Sequence, residues 1–306
     1  MIRAKDLESM AESLNHLGLP FNEFITRQEI DYSAKEFNFN ILDASLTENA
    51  VYRFCFKKEN NGEYVIEDYQ AKMLIVPIEH GHHAGIDTLE LENLMKEIKW
   101  ALFPIYKRDA LLGLFEKLDQ LRHSGDLTAK KIGDKLAIKY FSNTPLEEML
   151  PLPDKRPYEK TIIIPIHNKG NDVDIGQAVQ LLQGGTLLKY LDTNNESGEL
   201  CWLKEDKGYL KIYSDFNVAE VVKQMPLLKQ PDIVELSEIL TDLGNGKPYA
   251  TSLLINSRIV GGKIHVDPGN QSLEFRDNSG KTVNWKLWTK LKQDKKPGKG
   301  KKGPGL

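Results

Sequence analysis

Three imidazoles and a carboxylate stand together in EHGHH (Glu79, His80, His82, His83), directly after the apolar run MLIVPI. Imidazole is the commonest metal ligand in proteins. On an extended segment His80 and His82 point to one side, where Asp87 would complete a ligand set. A metal-dependent enzyme built on His80, His82 and His83 is therefore one reading. The spacing matches no established zinc motif, so a solvated loop is the other. GxSxG, HExxH, GxxxxGK[ST] and a strand-following GxGxxG are all missing from the sequence. No catalytic residue is assigned, and a non-enzymatic protein with no cofactor is expected unless the histidines hold a metal. Glu90/Glu92 and Glu147/Glu148 read as exposed helix charges. Cys55 and Cys201 lie in apolar, strand-like contexts without CxxC spacing, which predicts buried free thiols.

Charge distribution is a stronger signal than any motif. The 306 residues carry 41 Lys and Arg against 44 Asp and Glu. Eight of the lysines fall in the last 21 residues with one acid, Asp294, so the tail carries about +7 and the remainder about −10. An acidic body is no general nucleic-acid surface, whereas Lys290, Lys292, Lys295, Lys296, Lys299, Lys301 and Lys302 could follow a phosphate backbone and release its counterions. Trp288 adjoins them and would extend the footprint by stacking. A merely solubilising tail is the alternative. From Lys292 onward almost nothing is apolar, which predicts disorder.

The elements that would hold these groups follow from periodicity. Leu7, Met10, Ala11, Leu14 and Leu17 mark an amphipathic helix stopped by Gly18 and Pro20. FNFNIL and VYRFCF alternate with period two, and EYVIEDYQAKMLIVPI reads as two further strands of an antiparallel meander after the turn ENNGE. IDTLELENLMKEIKWALF returns to helical spacing with Asp87 or Thr88 as its cap. A second helix ends at Gly125, and LTAKKIGDKLAIKYF follows. Pro145, Pro151, Pro153 and Pro157 then interrupt any regular element. The expected organisation is an N-terminal α+β domain (1–142), a Pro-rich linker (143–160), a C-terminal α+β domain (161–288) and a disordered Lys/Gly/Pro tail (289–306). Each domain is expected to be a small antiparallel sheet packed by helices. TIIIPI and the helix of VDIGQAVQLLQGG repeat the order seen from MLIVPI to ENLMK, either as an internal repeat or as two instances of a common arrangement. In the last ordered stretch, Gly261-Gly262, Pro268-Gly269 and Ser279-Gly280 are hairpin signals. The apolar runs at 73–78 and 162–166 are far shorter than the ~20 residues a spanning helix needs, and the start lacks a signal-peptide pattern. A cytoplasmic protein without membrane association is expected.

Several stretches resemble a family of proteins of unassigned function carried on conjugative and mobilisable elements of Bacteroidetes-type bacteria, often near relaxase, topoisomerase or primase genes. They are LNHLGLPFNEF, FKKENNGEYVIEDYQAKM, DIGQAVQLLQGGTLLKYL, LTDLGNGKPYATSLLINSR and DPGNQSLEFRDNSG, spread over most of residues 10–285. HVDPGNQSLEF departs from the Ala-rich approach to a Pro-Gln pair usual there. The resemblance implies an accessory protein of a mobile genetic element and assigns no catalytic residue. Three hypotheses follow: contact with DNA or a nucleoprotein partner through the basic tail, a protein-interaction or immunity-type module whose acidic body binds a basic partner, and the metal-dependent enzyme.

Overall fold

The computed structural model describes residues 4–19, 34–43, 50–98, 100, 111–166, 172–191 and 198–287. The fold is α+β. The chain divides into two compact units, one of residues 1–183 with 207–209, the other of 184–206 with 210–306.

The first unit opens with α1 (Ala4–His16), then β1 (Glu36–Asp43), β2 (Ala50–Lys58) and β3 (Tyr64–Leu74). A two-stranded hairpin of β4 (His82–His83) and β5 (Ile86–Asp87) leads into α2 (Thr88–Lys96), α3 (Leu112–Arg122) and α4 (Leu127–Phe141). β6 (Glu159–Pro165) and α5 (Ile175–Leu182) complete it. β1, β2, β3 and β6 are neighbours in that order, each pair antiparallel. Alternation in β2 buries Tyr52, Phe54 and Phe56 on one face, and β3 adds Tyr64, Ile66, Tyr69 and Ala71. That β3 set changes phase between Ile66 and Tyr69, which strict alternation forbids. The register shift opposite Cys55 and Phe56 supplies the reason: Cys55 pairs with Asp68 and Phe56 with Ile66, so Glu67 is an inserted residue. This β-bulge returns the later side chains to the same face. The segment expected to form two strands is thus one bulged strand followed by irregular chain at 75–81.

α1 and α5 pack against this sheet. Met10, Leu14 and Leu17 of the α1 region and Ala178, Val179, Leu181 and Leu182 of α5 are buried. A separate cluster forms among α2, α3 and α4, built on Leu91, Met95, Trp100, Leu121, Leu136 and Phe141. Gly133 lets α3 and α4 approach closely: a Cβ there would sit 2.9 Å from Leu121 Cβ and from Arg122 Cγ. The Pro-rich passage does not link domains. Leu146 is buried in the same cluster, Leu150 and Leu152 pack on it, and Arg122 Nη2 donates to the carbonyl of Pro151 at 2.6 Å. The unit boundary falls instead at 183/184, because β6 pairs with β3 over seven residue pairs. Local order misled here: prolines exclude regular structure but not packing. The two strand-loop-helix stretches differ in their surroundings as well, since α2 packs on α3 and α4 while α5 packs on β3 and β6.

The second unit contains β7 (Thr186–Leu191), β8 (Glu199–Asp206), all but the first residue of β9 (Tyr209–Ser214), α6 (Val218–Gln224), α7 (Ile233–Gly244), β10 (Tyr249–Ile255), β11 (Arg258–Asp267), β12 (Ser272–Asp277) and β13 (Thr282–Val283). The last four strands form an antiparallel sheet in chain order. Its inner side joins Trp202, Val222, Ile239, Leu243 and Trp285 in one core. Asp232 caps α7 in a capping box with Glu235. The hairpin expected at Gly261-Gly262 turns instead at Asn256 and Ser257, whose φ values are 50° and 61°. Gly261 and Gly262 lie within β11 for a different reason. A Cβ on Gly262 would collide with the Arg276 carbonyl and lie 2.7 Å from the Phe275 ring. At Gly261 the nearest atom is the end of the Asn278 side chain, 3.2 Å away. The signals at Pro268-Gly269 and Ser279-Gly280 do mark turns, the second with Gly280 at φ 82°.

Gly262→Ala is expected to destabilise the protein by about 2–3 kcal/mol through overpacking against backbone and ring. Gly261→Ala is expected to stay within about 0.5 kcal/mol. Urea denaturation of the two variants checks the difference.

Candidate functional site

The histidine loop is assembled by two local devices. Ala84 (φ 50°) and Gly85 (φ 78°) form the two-residue turn between β4 and β5, and Gln120 Nε2 donates to the Ala84 carbonyl at 2.9 Å. Thr88, fully buried, clamps Gly81: its Oγ1 accepts from the Gly81 amide and donates to the Gly81 carbonyl, both at 3.0 Å. Asp87, of the two candidate caps, starts α2 by accepting from Leu89 N and Glu90 N. Those amides, with the neighbouring His82 and His80, hold its carboxyl below the usual range.

One helical turn beyond Thr88 lies Glu92, only 3% exposed. His80 Nε2 meets its Oε2 at 2.7 Å. Lys139 Nζ and Tyr140 Oη both donate to its Oε1 at 2.9 Å, and Lys96 Nζ lies 4.0 Å from Oε2. Burial alone would raise the Glu92 pKa; the hydrogen bonds from Lys139 and Tyr140 and the charges of Lys139 and Lys96 outweigh it and hold the carboxyl below its ordinary value. Burial and the adjoining carboxylate push the Tyr140 hydroxyl upward. An ionised carboxylate is therefore held against an imidazole, an ammonium and a phenol. The expectation that Glu92 is an exposed helix charge is overturned because position 92 falls on the α2 face with buried Thr88, Leu91 and Met95. Glu147 is likewise half-buried and paired with Lys155, while Glu90 and Glu148 are exposed.

The structure does not bring the three histidines to one point. His80 faces Glu92, His83 Nδ1 lies 3.6 Å from Asp126 Oδ2, and His82 is exposed opposite Asp87 in the hairpin. Among the described residues no group of three His, Cys, Asp or Glu side chains is placed to hold a metal ion. The carboxylates engage the imidazoles singly, so the arrangement braces the loop on α2 and α4. Sequence reasoning passed over Glu92, Lys139 and Tyr140; the signal for Glu92 was a carboxylate in phase with an apolar stripe.

Both cysteines are free thiols. Cys201 is buried, but Cys55 is half-buried on the face opposite the aromatic side chains and donates to Glu36 Oε1 at 3.2 Å. Burial and the Glu36 carboxylate push its pKa up to about 11. Burial raises Cys201 also.

Trp288 and Lys290, Lys292, Lys295, Lys296, Lys299, Lys301 and Lys302 lie outside the described residues, as does the tail 289–306. The chain just before them is firmly rooted. Trp285 is buried in the core of the second unit, its Nε1 donates to the Leu273 carbonyl at 3.1 Å, and its amide bonds to Val283 O at 2.9 Å. Lys286 Nζ lies over the Trp285 ring. Tyr213 is half-buried with Lys211 Nζ over its ring. Among the described residues no helix is long and apolar enough to cross a membrane. No protein-family model, curated protein or solved structure matches the chain.

Glu92→Gln is expected to cost about 1–3 kcal/mol at neutral pH. A carboxyl whose folded pKa is lowered stabilises the fold above its unfolded value of about 4.3, and that contribution disappears as pH falls through the folded pKa. The gap between wild type and variant should thus persist from pH 7 down to about 5 and close in stronger acid, as urea melts at stepped pH would measure. Separately, iodoacetamide at mildly alkaline pH should label native Cys55 roughly two orders of magnitude more slowly than the unfolded chain, and native Cys201 also more slowly, because little thiolate is present. Mass spectrometry of timed samples reads this, and fast labelling of either native thiol would refute it.

Proposed function

We propose that this protein is a non-enzymatic accessory factor of a mobile genetic element, working in the cytoplasm and holding DNA or a nucleoprotein partner through its basic C-terminal arm. One observation carries the reading: eight lysines and a single acid occupy the last 21 residues of a chain whose other 285 residues are strongly acidic. Such segregation keeps the body from adhering to phosphate and leaves the arm to do so without sequence preference. The buried Trp285 supports this reading, since it gives the arm a rigid root at the end of the β10–β13 sheet. Trp288 would add a stacking surface at the base of the arm. The resemblance to proteins encoded beside relaxase, topoisomerase or primase genes points to the same kind of partner.

The test is binding of labelled single-stranded and duplex oligonucleotides across a salt series, with the full chain compared with one ending at Trp288. The full chain should bind with log K falling linearly against log salt, the slope approaching roughly −0.9 per neutralised phosphate on duplex and −0.7 on single strands. The shortened chain should lose the binding. Absence of binding by the full chain at low salt, or equal binding by both, would falsify the proposal.

A further inference from the structure

Between α3 and the turns that follow α4, the first unit forms a groove of about 410 Å³. Leu112, Phe115 and Leu118 line it from α3, and Leu146, Met149 and Leu150 line it from the Pro-rich passage. Both sides are fixed in place. Arg122, on the last turn of α3, donates from Nε to Asp134 at 3.0 Å and from Nη2 to the Pro151 carbonyl at 2.6 Å. Leu146 O accepts from Met149 N and Leu150 N, and Lys155 pairs with Glu147. The groove is thus preformed, yet Leu112 is 48% and Met149 54% exposed. Exposed apolar side chains on a rigid frame mark a contact surface when they are contiguous.

Charge decides what kind of contact. Glu116 and Asp119 line the groove, Asp119 with His123 Nδ1 2.9 Å from its Oδ1, and exposed Glu148 is next to Met149 in the chain. Arg122, the cation of the lining, is already committed to Asp134 and Pro151. An apolar floor with a carboxylate rim complements a helix that presents leucine-like anchors at i, i+3, i+4 and i+7 with Lys or Arg beside them. A small apolar molecule fits less well, because small-molecule sites carry polar groups that converge on the ligand, and here the carboxylates belong to exposed residues of the rim. Met149 suits the role, since its flexible thioether adapts to the partner's surface. We infer that this groove docks a basic amphipathic helix of a partner protein, a function separate from the C-terminal arm.

The probe is a fluorescein-labelled peptide of Leu and Lys with Leu at i, i+3, i+4 and i+7, titrated with the full chain at physiological salt and read by anisotropy. Saturable one-to-one binding is expected. Leu112→Glu combined with Met149→Glu should weaken it about tenfold or more. Glu116→Lys combined with Asp119→Lys should weaken it and let a matched Leu/Glu peptide bind in its place. Ile233→Glu, at an 88% exposed position of the second unit, should change nothing. Circular dichroism melts of every variant should match wild type, since all substituted side chains are exposed. The inference is overturned if the Leu/Lys peptide does not bind, if the two peptides bind alike, or if the groove substitutions leave binding intact. It is also overturned if those substitutions abolish self-association of the chain, which would give the groove to a second copy.

Discussion

Most of the first unit depends on one dry sheet face that contains phenols. β2 and β3 put Tyr52, Phe54, Phe56, Tyr64, Ile66 and Tyr69 on the same side, all fully buried. Burying this much aromatic surface favours folding strongly, but a phenol hydroxyl in an apolar layer must still find a partner. Tyr69 Oη donates to the Val173 carbonyl at 2.7 Å and Tyr52 Oη to the Ile175 carbonyl at 3.1 Å. Both acceptors lie at the start of α5, so the hydroxyls fix where that helix begins as well as the face it covers. Ile175 N in turn donates to Leu17 O at 3.1 Å, tying α5 to the end of α1. The bulge at Glu67 is what makes this possible, because without it Tyr69 would point to the other side.

The helical cluster of the same unit solves a different problem with the same currency of satisfied polar groups. Glu92 would be untenable alone in its position, and Lys139, Tyr140 and His80 make it tenable by supplying donors to both carboxylate oxygens. The network joins α2, α4 and the histidine loop at the edge of the apolar cluster that Ile86, Leu91 and Met95 share with Leu136 and Phe141. Arg122 does similar work farther along, tying α3 to α4 and to the Pro-rich passage. Rigidity of this kind gives the neighbouring groove a fixed shape and leaves its apolar atoms exposed. In the second unit the constraint is steric: the Phe275 ring crosses over Gly262, and Trp285 closes the core beside Leu273.

Electrostatics divides the molecule by region of sequence. Acids predominate up to residue 285 and are absent after Asp294. Several of the described ion pairs are exposed on both sides and contribute little to stability. In the two contacts proposed above, a carboxylate-rimmed groove would favour basic partners and a lysine-rich arm would favour phosphate. The two proposed contacts therefore favour oppositely charged ligands and need not compete.

Period-two and period-3.6 patterning, Asp caps and Gly stops were legible from residue order alone. α1 and α5 stand where those patterns put them, because a helix depends on interactions within a few residues. The charge partition was equally legible. Other features depended on contacts distant in sequence and only the tertiary structure decided them. Glu67 as a bulge is set by pairing with β2, and the place of residues 143–160 by packing on α3 and α4. Gly262 is required by a ring thirteen residues away. His80, His82 and His83 look like one ligand group in sequence, yet His80 goes to Glu92, His83 to Asp126, and His82 stays exposed. Glu92 was hidden for the same reason: a charge on an apolar stripe is tolerable only if donors arrive from another helix, and Lys139 and Tyr140 lie 47 and 48 residues away along the chain.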